Sequence, residues 1–180
     1  MKKSFSAVLE AAVIVGALAL TACSPPPVTG DAGMQDSGSA DAGPSAMLPA
    51  DVSGYAAWLA TDAYRTWRCD PMARPAIEDS PHGSNIICVN SVLDGARTGS
   101  GAWPVGSAAV KIVFDGAGME AARFLDVRRT DAAGAAGWYF MRLPTGGMAG
   151  PAGMGDVAPA STACAGCHSG GGRDFVRRVP

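Results

Sequence analysis

The chain predicts an α+β fold, a mainly antiparallel β-sheet with an N-terminal helix. Three observations carry this. Apolar residues recur at near-helical spacing between Asp51 and Arg68. Ala108 to Phe114 alternates in the two-residue rhythm of a strand. The apolar runs that follow are short, separated by Gly- and Pro-rich turns, and show no βαβ alternation, so an antiparallel sheet is the architecture left.

The first 22 residues read as a targeting segment and are set aside from fold reasoning. Lys2 and Lys3 give its positive start, and a mostly apolar run follows that is too short for a comfortable membrane span. It ends in Leu20-Thr21-Ala22-Cys23, which resembles the bacterial lipobox. The resemblance implies lipidation at Cys23, and Ser24 after it implies export and sorting to the outer membrane, facing the periplasm. An ordinary signal peptide with a spare Cys is the other reading. Acyl chains on Cys23 would hold the protein, each buried methylene adding about 0.8 kcal/mol.

Residues 24–50 are rich in Pro, Gly, Ser, Ala and Asp, with no apolar face to bury. With Cys23 they read as a tether, reaching roughly 30 Å as a flexible coil. Residues 51–180 remain as one domain, enough chain for a single core. The net charge of −2 gives no sign of nucleic acid.

Within the domain, Asp51 or Ser53 would cap a helix running to Arg68, with Val52, Tyr55, Leu59, Ala63 and Trp67 as its buried stripe, widened by Trp58. Pro71 and Pro75 stop it. A turn at 80–85 leads into a strand at Ile86 to Val89, and residues 90–100 form a loop or short helix. Ala108 to Phe114 places Val110, Ile112 and Phe114 on one face, Lys111 and Val113 on the other. Phe124 to Thr130 is a weaker strand and Trp138 to Leu143 a firm one. A long loop follows to Ala163, giving three to five strands in all.

The chemistry is concentrated in Cys164-Ala165-Gly166-Cys167-His168. A C-x-x-C-H places two thiols to form thioethers with the vinyl groups of a haem, and the next side chain to ligate its iron. Cys164 and Cys167 would hold one covalent haem c, with His168 the axial metal ligand. A Zn site needs further ligands, and a thioredoxin-like dithiol expects a βαβ setting; both stay as alternatives.

Of five cysteines, one is assigned to lipid and two to haem. Cys69 and Cys88 remain, and in an oxidising compartment they predict a disulfide, worth about 3 kcal/mol on the chain-entropy view. Two buried thiols are the alternative. Arg173, Arg177 and Arg178 form a basic cluster that would pair with haem propionates or stay solvated.

The order of these signals resembles the cytochrome P-460 and cytochrome c′-beta family. The matching pieces are Tyr64-Arg65-Thr66-Trp67; His82-Gly83 with the strand Ile86 to Asn90; Trp103-Pro104-Val105-Gly106 with Val110-Lys111; Trp138-Tyr139-Phe140; and the C-terminal C-x-x-C-H followed by Asp174-Phe175-Val176. The resemblance implies an antiparallel β fold around one haem with an open iron position. It implies that Lys111 is cross-linked to the haem or lines its edge, and that the site acts on hydroxylamine or binds nitric oxide. It also implies a homodimer. An exposed strand lysine is the plainer reading of Lys111. The chain departs from the family at Ile112, where an acid is usual, and in a shortened segment before Trp138. Asp115, Glu120 and Asp126 are candidates for the distal carboxylate. A plain electron carrier, passing electrons to a redox partner protein, would instead close the iron with His82, Met119, Met141, Met148 or Met154.

Overall fold

A computed structural model describes residues 47–76, 82–170 and 172–180. The targeting segment, Cys23 and most of the tether lie outside the described residues.

Six strands form one antiparallel sheet in chain order: β1 Arg68–Cys69, β2 Asn85–Val89, β3 Ala108–Phe114, β4 Glu120–Arg128, β5 Trp138–Pro144 and β6 Ala152–Met154. The helices are short: α1 Tyr55–Ala60, α2 Ser91–Gly95 and α3 Gly166–His168. This is the α+β fold that the apolar patterning predicts. β1 and β6, of two and three residues, are additional to the runs visible in the sequence.

The single helix expected to Arg68 is broken. Asp51 does accept a hydrogen bond from the Ser53 amide, opening a 3-10 turn before α1. Asp62 then takes a left-handed conformation at φ 60°, and a second 3-10 turn, Ala63–Thr66, follows. The Asp62 carboxylate accepts from the Tyr64 hydroxyl at 2.8 Å and from Arg65 Nε at 3.1 Å, which offsets the steric penalty of that conformation. Tyr64 is thereby turned into the core, while Val52 stays exposed.

Alternation in the strands divides the sheet into two buried faces. Val110, Ile112, Leu125, Val127 and Met141 pack against Tyr55, Trp58, Leu59 and Tyr64. Ile87, Val89, Ala109, Trp138 and Phe140 pack on the other side against Leu93, Trp103, Ala160, Ala165 and Val176. Each large apolar side chain so buried contributes about 1.5–3 kcal/mol. β3 is therefore covered on both sides rather than half-buried, and Lys111 sits on its second face.

Asn90 ties the second face together. Its Oδ1 accepts from the Leu93 amide, capping α2, and from the Ala108 amide at the start of β3. Cys69 and Cys88 are opposite each other on β1 and β2 and are joined by a disulfide.

Candidate functional site

The C-x-x-C-H lies against the second face of the sheet. A π-helical turn, Ser161–Ala165, runs into α3 and places Cys164 and Cys167 about one helical turn apart, on one side of the segment. Cys164 is half-buried beside the core and Cys167 is exposed; neither is in a disulfide. Burial, and secondarily the Asp126 carboxylate, raises the Cys164 thiol pKa.

His168 is buried, edge-on to the Phe140 ring at a centroid distance of 5.5 Å. Its Nδ1 is 2.9 Å from the Phe175 carbonyl and 3.6 Å from Asp126 Oδ2. Only the first is a hydrogen-bond distance, so Nδ1 carries the proton and donates to Phe175. That leaves Nε2 as the ring's electron-pair donor, with no hydrogen-bond partner among the described residues.

Three strands feed the ground beside His168. Asp126 on β4 pairs with Phe140 on β5 and with Ala109 on β3, whose small side chain leaves space. Lys111 pairs with Phe124. Lys111, Asp126 and His168 line one cavity of about 30 Å³ together with Val176, Arg177 and Arg178. Burial lowers the Lys111 pKa, and the Asp126 charge partly offsets this. Lys111 is thus not the solvated strand lysine of the plainer reading.

Beyond the Lys111–Phe124 pair, the same face opens into a recess of about 740 Å³ lined by His82, Val113, Phe124 and Arg142. The His82 ring contacts Phe124 at 4.4 Å. Its pKa is lowered to about 4, chiefly by burial and then by neighbouring Lys111, with smaller effects of His168 and Arg142.

Of the other residues singled out in the sequence, Asp115 lines the recess and the rest are placed elsewhere. Met119 and Met148 are 67% and 90% exposed, and Met141 is in the core on the opposite face. Met154 pairs with Tyr139, which also packs on that opposite face. Asp115 accepts the Ala117 and Met119 amides in its turn. Glu120 is paired with Arg65 and Arg123. Asp126 is the one carboxylate of the three that lines the cavity.

The basic cluster is divided. Arg173 stacks on Trp103 at 3.8 Å and donates to the carbonyls of Ala96, Gly101 and Ala102. It is a structural residue, neither solvated nor free for a propionate. Arg178 donates to Asn85 Oδ1 at 2.8 Å, and Arg177 Nη1 lies 3.5 Å from Cys167 Sγ.

The donor set fits a covalently attached haem: two thiols outside the disulfide, one turn apart, and a following imidazole whose Nδ1 is already held. The cavity beside His168 is small, with residues 176–178 among its walls, while the adjoining recess is in the range of ligand sites, about 300–1,000 Å³. Among the described residues, no three or more His, Cys, Asp or Glu side chains converge as a metal cage, and no helix is long and apolar enough to cross a membrane. No family model, curated protein or solved structure matches the chain.

Proposed function

We propose that this is an exported, lipid-anchored mono-haem c-type cytochrome resembling cytochrome P-460 and c′-beta, which binds or oxidises small nitrogen compounds such as hydroxylamine or nitric oxide. One observation carries the reading: His168 of the C-x-x-C-H is buried on the sheet face that also presents Lys111 and Asp126, around a shared cavity.

Cys164 and Cys167 would hold the haem and His168 Nε2 its iron. The haem iron would supply the ligand-binding and electron-transfer chemistry. The chain's own residues do the rest. Phe175 fixes the imidazole orientation. Phe140 and Phe124 keep water from the face. Asp126 is placed beside Lys111, whose amine would line the haem edge or, in the P-460 manner, be the group cross-linked to it.

The test is a spectrum. The mature protein, made in a host competent for cytochrome c maturation, should show a Soret band that survives denaturation, and its reduced form should shift with carbon monoxide. Mass spectrometry of the haem peptides should find haem on Cys164 and Cys167, and reports any Lys111 bond. A protein with no Soret band overturns the proposal.

A second reading keeps the haem but makes the protein an electron carrier. The placement of His82 on the same face as His168 favours it over any methionine-ligated form. A low-spin reduced spectrum unmoved by carbon monoxide selects this reading.

A further inference from the structure

Residues 173–176 form a tight turn just after the C-x-x-C-H. The Arg173 amide donates to the Val176 carbonyl at 3.2 Å, and the Val176 amide donates back to Arg173 at 3.0 Å. Both central residues have positive φ, 44° at Asp174 and 68° at Phe175. Asp adopts this region readily, but a bulky Phe there is an outlier. Gly172 at φ 79° lets the chain enter, since a Cβ there would collide with the Val176 carbonyl. Strain of this kind persists only where surroundings over-determine it.

The surroundings do so from two sides. Arg128 on β4, 3% exposed, reaches both Asp174 carboxylate oxygens at 3.1 Å. The Trp103 amide donates to Asp174 Oδ2 at 2.9 Å, and Trp103 Nε1 donates to the Arg173 carbonyl at 2.8 Å. Arg128 is itself fitted closely, because a Cβ on Gly137 would lie 2.8 Å from its guanidinium carbon. The outcome of all this is the position of one atom. The Phe175 carbonyl oxygen accepts from His168 Nδ1.

We infer that Arg128, Asp174 and Trp103 are positioning residues for His168: they clamp a strained turn whose Phe175 carbonyl orients the imidazole and makes it a stronger donor to iron. This rests on the proposed haem reading and deepens it. A hydrogen bond from the distal nitrogen of a ligating histidine raises the basicity of the coordinating one. Loosening the clamp should therefore weaken donation to ferric iron and favour the reduced form.

The experiment compares the haem-loaded parent with Asp174→Asn, Arg128→Lys and Trp103→Phe. Asn tolerates the left-handed backbone, so Asp174→Asn removes charge without forbidding the turn, and Trp103→Phe serves if it fails to fold. Leu59→Ala, in the opposite core, is the control for general destabilisation. Each clamp variant should shift the ratio of reduced to oxidised protein about tenfold at a fixed poise, about 59 mV for one electron, and lower the iron–histidine stretching frequency. Leu59→Ala should lower Tm and leave both unchanged. Clamp variants that lose Tm but keep the parent's potential and stretch overturn the inference alone. A parent chain without covalent haem overturns the functional reading, and the inference with it.

Discussion

Lys111 and Asp126 are diagonal neighbours across β3 and β4, each two residues along from the other's direct partner, and both line the cavity beside His168. The carboxylate raises the lysine's pKa while burial, the larger influence, lowers it. An amine held this way is costly to keep charged, which is how proteins prepare lysines for bond formation.

The cost has a pH signature. The folded pKa of Lys111 is below its ordinary value of 10.5, so the folding penalty is complete below the folded pKa and vanishes as pH rises past the ordinary value. Lys111→Met should be more stable than the parent at pH 7 by about 1 kcal/mol. The gain should shrink steadily towards pH 10.5. Denaturant titrations at several pH values measure this; a gain independent of pH would count against a buried charge.

His82 titrates in the opposite part of the scale. Its folded pKa of about 4 is below the ordinary 6.5. The unfolded chain therefore binds the extra proton between those values, and stability falls as pH drops through that window. His82→Gln should flatten the fall in Tm between pH 6.5 and 4. An unchanged slope would place the acid sensitivity on another group.

The disulfide closes a loop with a sequence separation of 19. Non-reducing mass spectrometry of the mature chain should find Cys69 and Cys88 in one linked peptide pair. Replacing both by Ala should cost about 3 kcal/mol, read from the shift in denaturation midpoint. Two free thiols in the native protein would refute the pairing.

Lipidation at Cys23 is tested in cells. The parent should fractionate with outer membranes and Cys23→Ala should not, while both keep the same Soret band. A membrane-bound Cys23→Ala protein would require another anchor.

The strands β2 to β5 were legible because β-branched and aromatic residues alternate or cluster between turn residues. β1 and β6 were not. Two or three residues have no measurable period, and Ala152-Gly153-Met154 has little strand preference; its pairing with Tyr139, Phe140 and Met141 decides its form. The break at Asp62 was hidden because Ala63 and Trp67 keep up helical spacing across it. The near-continuous apolar run of β3 did carry the sign of a strand covered on both faces, but what lines the cavity with Lys111 includes His168, Val176, Arg177 and Arg178, far along the chain. The C-x-x-C-H was plain in the sequence. Its support was not: Phe175 contributes a carbonyl that every residue has, and Arg128 is one of several charged residues in its strand, beside Glu120, Arg123 and Asp126. The Asp-Phe after the motif was the available signal.

The strands are ordered in space as they are in the chain, so each pairs with its predecessor and the scaffold closes through modest loops. The ties around His168 do not. Arg128 to Asp174 spans 46 positions and Trp103 to Asp174 spans 71. Such distant closures carry a larger entropic cost per contact than hairpins do. On warming, the end around His168 should therefore open as its own cooperative unit while the meander is still intact. Amide exchange would record this as early loss of protection at Val176 and Ser169, with β3 and β4 exchanging only on global unfolding.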